Sequence, residues 1–349
     1  MSEDKIRNSN IELLRILAAT SVIVIHIAIY AFAKWEIYSE APRINRMLIR
    51  LAHVMSVNAA PLFMMISGYF MSMKSRVDLK KPALLILQLV VFKLAIYIIR
   101  VFNGSSLFSY GELVSTIISL DYFVSLYCAV YLVSPYINFL LNKLEDKQVK
   151  ALVTLLFIVF CLWNYAIDII AMFMGVSLDG ATTISMNGSL MGSTVVNFMI
   201  CYIIGAAVRR NIISLKHPLL CYVLCVIMVG IISLRVIKVS SDYHSPFVLG
   251  QALGLLCLSL KWKFNSSIIN RLAKSCYAVF ILHFNLIVEM RNFLLDSLGC
   301  SLVVMLARMA GMILIIWIIS ILSQKAFDIA VRPFAKKLEN KLSKVEIKV

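Results

Sequence analysis

The feature that most constrains this chain is a series of apolar blocks of about twenty residues, joined by short polar connections. Ten can be read: 11–33, 48–71, 82–100, 119–141, 151–174, 193–208, 218–236, 246–260, 275–293 and 301–323. As helices, most are long enough for the roughly 30 Å hydrocarbon core of a bilayer. In lipid, only helices or closed barrels satisfy their own backbone polar groups. The expected fold is an all-α polytopic membrane protein of about ten transmembrane helices. The blocks 193–208 and 246–260 are short, so eight or nine crossings remain open. Composition agrees, with 61% hydrophobic and only 15% charged residues in 349, where soluble domains carry about 25% charged. A water-soluble enzyme and a disordered chain are both excluded.

The formal charge is +16, and its distribution decides its meaning. Ten spans put both termini on one side. Loops on that side hold sixteen lysines and arginines against eight opposite, and the tail raises the first figure to 23. The bias predicts both termini cytoplasmic, in a multi-pass protein of the cell (inner or plasma) membrane. The basic excess is thus mostly topology. No nucleic-acid motif is present, so membrane lipid is an expected partner and nucleic acid is not. The first block carries Arg15 and His26 and no small-residue cleavage site follows, so it is expected to remain as a span. The longer connections 34–47, 101–118, 175–192 and 237–245 all fall outside; 175–192, with Asp179, reads as a flexible loop. One membrane domain, 1–323, is expected, followed by a charged cytoplasmic tail, 324–349, that starts as a short surface helix. The eight cysteines contain no CxxC pair and the five histidines are scattered, so no metal site is expected.

Ionisable side chains inside a membrane are expensive and are candidates for function. Glu12 and Arg15, three residues apart on a helix, can pair near the cytoplasmic end of the first block. His26 follows Arg15 by eleven residues, which returns it to the same helix face about 16 Å further on. Arg15 and Glu12 either snorkel to the headgroups or serve a site. His26 is either a bonded core histidine or a base able to take a proton from a hydroxyl at neutral pH. His283 is a second imidazole among apolar neighbours. Lys93 and Arg308 lie in the third and tenth blocks, Arg308 able to reach water or bind an anionic group; Asp168 and Asp121 either partner these cations or orient a histidine, structural ion pairs are the alternative for each, and spacing does not say who pairs with whom. In the second block, Pro61 predicts a kink and Gly68 a close helix approach, beside Asn58 and Ser67; Pro135 predicts a kink in the fourth.

Asn10-Ile11-Glu12-Leu13-Leu14-Arg15 followed by His26 resembles the acyltransferase-3 family of integral-membrane acyltransferases, which O-acetylate surface glycans. Pro61 through Tyr69, Ser125-Leu126-Tyr127 through Ser134-Pro135, and Ser275 through His283 resemble the family in the same order, so the likeness spans about residues 8–325. It implies ten helices, a catalytic His26, an Arg15 that serves donor handling or local structure, Glu12 where many members have Asp, and a late histidine at His283. Asp121-Tyr122-Phe123 departs from the tryptophan that many members carry, and the hydrolase-like extension common in the family is not seen, which implies direct transfer or a partner.

The resemblance further implies acyl-CoA, foremost acetyl-CoA, as cytoplasmic donor with no metal. The acceptor is a hydroxyl of a surface or lipid-linked glycan. Arg15, Lys74, Arg76, Arg209 and Arg210 are the candidates for the CoA phosphates. His26 is the expected general base, and Ser67 and Asn58 are candidate oxyanion donors. Further expected partners are a second copy of the chain or glycan-assembly proteins. The competing reading is a polytopic transporter or flippase for a glycan or small anion, using Lys93, Arg308, Asp168 and the histidines as a polar path.

Overall fold

Residues 8–33, 41–176, 193–235 and 237–348 are described in the computed structural model. The expected 175–192 loop, including Asp179, lies almost wholly outside the described residues. The elements run α1 (Ser9–Ala33), α2 (Arg43–Ser56), α3 (Ala59–Met71), β1 (Arg76–Asp78), α4 (Lys80–Phe102), α5 (Tyr110–Ile118), α6 (Tyr122–Lys143) and α7 (Asp146–Phe157). A π-helical turn, Ile158–Leu162, joins α7 to α8 (Trp163–Met174). Then follow α9 (Val195–Arg209), α10 (Pro218–Ser233), α11 (Ile237–Ser240), α12 (Pro246–Ser259), α13 (Ser267–Leu272), α14 (Cys276–Glu289), α15 (Arg291–Leu295), α16 (Leu302–Ala330), α17 (Arg332–Leu342) and β2 (Glu346–Lys348).

Every expected apolar block is helical, but the count of full spans is corrected. Among the described residues, seven stretches rather than ten are long and apolar enough to cross a membrane: Ser9–Tyr30, Arg43–Met71, Lys80–Phe102, Tyr110–Lys143, Asp146–Ala171, Ser267–Glu289 and Leu302–Ala330. The other three blocks are α9, α10 and α12, of 15, 16 and 14 residues. At 1.5 Å per residue they reach about 21–24 Å, short of the roughly 30 Å core. The block 218–236 is cut short at Ser233, whose hydroxyl donates to the Gly230 carbonyl at 2.7 Å as the last turn tightens. Helix α9 is buried nearly all round from Asn197 to Val208 and acts as an internal post.

The second block breaks at Val57–Asn58, ahead of Pro61. Pro61 cannot donate to the carbonyl four residues back and so falls in the first turn of α3, where that loss is harmless. Pro135 stays inside α6 and frees the Tyr131 carbonyl, which the Ser134 hydroxyl binds at 2.7 Å. The close approach expected at Gly68 is present: a Cβ there would lie 1.9 Å from the Tyr202 carbonyl oxygen, and one at Gly205 would lie 2.0 Å from that of Met65. Helices α3 and α9 therefore touch backbone to backbone.

The tail also differs from expectation. Helix α16 continues to Ala330, and β2 returns to pair antiparallel with β1, Val77 opposite Ile347; among the described residues this short ladder is the only sheet. The buried Glu339 carboxylate on α17 binds Lys80 at 3.0 Å, which ties the tail to the start of α4.

Candidate functional site

Ser9 and Asn10 fix the start of α1. The Ser9 hydroxyl meets Asn270 Oδ1 at 2.9 Å, and Asn10 donates to the Ser259 carbonyl at 3.0 Å. From this anchor α1 runs with neither Gly nor Pro and carries His26 to His283 on α14. The two rings meet edge to face with centroids 4.6 Å apart. Their hydrogen bonds fix their tautomers, because a carbonyl can only accept. His283 Nδ1 lies 2.6 Å from the Phe280 carbonyl and therefore carries a hydrogen. His26 Nδ1 lies 2.8 Å from the Val22 carbonyl and 3.3 Å from His283 Nε2, so its N–H is shared between these two acceptors. In the neutral ring His26 Nε2 is then the unprotonated nitrogen, the one able to take a proton.

The histidine pair opens on a cavity of about 220 Å³ lined also by Lys93, Asp121, Tyr122 and Tyr243. Lys93 is held by Ser119, donating to its carbonyl at 2.8 Å and its hydroxyl at 2.9 Å. The Tyr122 and Tyr243 hydroxyls are 3.3 Å apart. A second cavity of about 520 Å³ lies toward the start of α1, lined by Glu12, Arg15, Ser67, Lys81, Tyr127 and Tyr277 among others. Arg15 donates to Glu12 at 3.1 Å, and its side chain is about one-third exposed. Lys81 donates to the Tyr127 hydroxyl and lies over the Tyr127 and Tyr131 rings at 5.0 and 5.1 Å. One face of α1 thus links a cation-bearing cavity to an imidazole-bearing one.

The other sequence candidates are placed as follows. Ser67 lines the larger cavity but donates to the Phe63 carbonyl at 2.9 Å, leaving only its oxygen lone pairs for a ligand. Asn58 is buried outside both cavities, donating to Gln251 Oε1 at 2.8 Å. Of the cations considered for phosphate, Arg15 alone lines the larger cavity. Arg210 donates to the Leu141 carbonyl at 2.6 Å and to Asp146 at 2.7 Å, closing the end of α6. Arg76 pairs with Glu346 at 3.2 Å, Arg209 donates to the Tyr69 hydroxyl at 3.1 Å, and Lys74 is exposed. Arg308 donates to the Phe293 carbonyl at 3.1 Å, outside both cavities.

Asp168 accepts from His244 at 3.2 Å, and Asp242 lies 3.9 Å from the same Nε2. Their ligand atoms all fall within 4.8 Å of one another, which corrects the expectation of scattered histidines with no ligand cluster. Two carboxylates and an imidazole suit zinc or manganese chemically. Without an ion, His244 Nε2–H donates to Asp168 and Asp242 stands beyond hydrogen-bond distance of the same nitrogen. Sequence reasoning missed Lys81 and Tyr127, although Lys81 beside the start of an apolar block was a visible signal.

A family model described as an acyltransferase domain matches residues 8–323. No curated protein and no solved structure is matched. With nearly the whole chain covered by that match, and with seven long apolar stretches among the described residues, the protein belongs to the acyltransferase-3 family of membrane acyltransferases.

Proposed function

We propose that the protein transfers an acyl group, foremost acetyl, from cytoplasmic acyl-CoA to a hydroxyl of a cell-surface or lipid-linked glycan. The observation that carries this reading is the His26–His283 contact at 3.3 Å, on the same helix face as Arg15 and the larger cavity. Acyl-CoA enters the larger cavity, where Arg15 and Lys81 face its phosphates and pantetheine arm. The acceptor hydroxyl enters the histidine cavity. His26 Nε2 takes the hydroxyl proton while the oxygen attacks the thioester carbonyl. The tetrahedral intermediate collapses with cleavage of the C–S bond. The CoA thiolate leaves and recovers the proton from the His26 imidazolium, giving ester and free CoA. His283 positions His26 by accepting its Nδ1 hydrogen.

The topology that serves this reaction has both termini and the Arg15 cavity on the cytoplasmic side of the cell membrane, with an odd number of the three shorter helices crossing beside the seven long stretches; the β1–β2 pairing, which joins the chain after α3 to the tail, supports this. The Asp168–Asp242–His244 cluster is not assigned a step. Release of free CoA by the purified protein tests the reading against a transporter or flippase. An enzyme consumes acyl-CoA in the presence of glycan-bearing membranes, and a transporter does not.

A further inference from the structure

The two cavities share three residues, and all three are phenylalanines: Phe63 on α3, Phe123 on α6 and Phe280 on α14. The Phe63 and Phe123 centroids are 6.1 Å apart, and those of Phe123 and Phe280 are 4.9 Å apart. Phe123 is backed at 5.7 Å by the fully buried Phe198 of α9. The three helices agree on the level of this layer. On α3, Ala60 lines the histidine cavity and Ser67 the other, with Phe63 between. On α14, His283 and Tyr277 flank Phe280 in the same way, and on α6 Tyr122 and Tyr127 flank Phe123.

We propose that Phe63, Phe123 and Phe280 form the acyl slot of the enzyme, a site for a short unbranched acyl group that sets which acyl-CoA is used. This rests on the proposed reaction. The thioester comes from the Arg15 side, and its carbonyl must approach a hydroxyl activated by His26 to about 3–3.5 Å. The acyl group attached to that carbonyl then lies among the three rings. Their faces offer no hydrogen bond, so they accept a methyl group and exclude water, which keeps the thioester from hydrolysis. A slot closed on one side by the Phe198-backed Phe123 has little room for further methylenes. Each extra methylene in such a pocket changes selectivity by roughly 10- to 200-fold.

The test supplies labelled acetyl-, propionyl- or butyryl-CoA to membranes that carry the native glycan and either the wild-type full chain or a variant, and counts label in the glycan. Wild type is expected to favour acetyl over butyryl by more than tenfold. Phe63→Ala and Phe123→Ala are expected to move the butyryl-to-acetyl ratio at least tenfold toward butyryl, and Phe123→Leu by a smaller factor in the same direction. Each ratio is taken on one population of molecules, so partial misfolding cancels. Unchanged ratios in all three variants, with wild type active, overturn the slot and leave the proposed reaction standing. A wild type that transfers label from no donor overturns both.

Discussion

Replacing His283 by phenylalanine separates a positioning role from a base role. The substitution keeps a ring in the core and removes the Nε2 acceptor. The hydrogen bond that disappears is a neutral one at 3.3 Å, and the same His26 N–H keeps the Val22 carbonyl at 2.8 Å. A neutral hydrogen bond of this kind contributes about 0.5–1.5 kcal/mol, or roughly 2- to 13-fold in rate. Transfer should therefore fall by that modest factor in His283→Phe, whereas removal of the base in His26→Ala should cost about 10²- to 10⁴-fold. His283→Gln, which restores an acceptor, should lie closer to wild type than His283→Phe. The assay is initial-rate release of CoA thiol by protein reconstituted with glycan-bearing membranes. Donor affinity is titrated separately, so that a folding defect shows as lost binding. If His283→Phe falls as far as His26→Ala while still binding donor, the assignment of base and positioning residue is refuted.

Other consequences are as direct. Gly68→Ala should destabilise the bundle by about 3 kcal/mol or more, because its Cβ meets backbone that cannot rotate away; an unchanged unfolding temperature in detergent would remove this account of the α3–α9 contact. Ser134→Ala should cost about 1–3 kcal/mol by orphaning the Tyr131 carbonyl, and adding Pro135→Ala should recover most of it by restoring a backbone donor, read by thermal unfolding of the single and double variants. Arg15→Gln should weaken acyl-CoA binding by more than about 10-fold, the loss of a charge-assisted phosphate contact. Arg210→Gln should leave donor affinity unchanged and lower stability, since its guanidinium is occupied by Leu141 and Asp146. Equal losses of affinity in the two variants would contradict the placement of the donor.

Much of the bundle was legible because hydrophobic block length reports on lipid thickness directly. The short blocks at α9 and α12 were visible as such in the sequence, and both helices are largely buried among their neighbours; the shortfall not foreseen is α10, which ends at Ser233 although most of its apolar surface is exposed. The kink expected from Pro61 appears as the break at Val57–Asn58, where the carbonyl four residues before the proline lies. The stripe from Arg15 to His26 followed from helical periodicity alone. The partnership of His26 with His283 did not, since 257 residues separate them and only tertiary packing joins them. Phe63, Phe123 and Phe280 look like ordinary membrane residues in sequence, and their common level emerges only when three helices align. His244 was hidden for the same reason, with Asp168 brought to it from 76 residues away.

An acyl group that passes from a donor on the Arg15 side to a hydroxyl on the His26 side, with His26 as base, must leave its label across the membrane from the donor. Sealed inside-out vesicles carrying the native glycan, given labelled acetyl-CoA at their exposed cytoplasmic face, test this in one measurement. Label should appear in glycan inside vesicles that hold wild-type protein, and should fall by at least about 10²-fold with His26→Ala. Equal labelling by the two proteins would contradict the account.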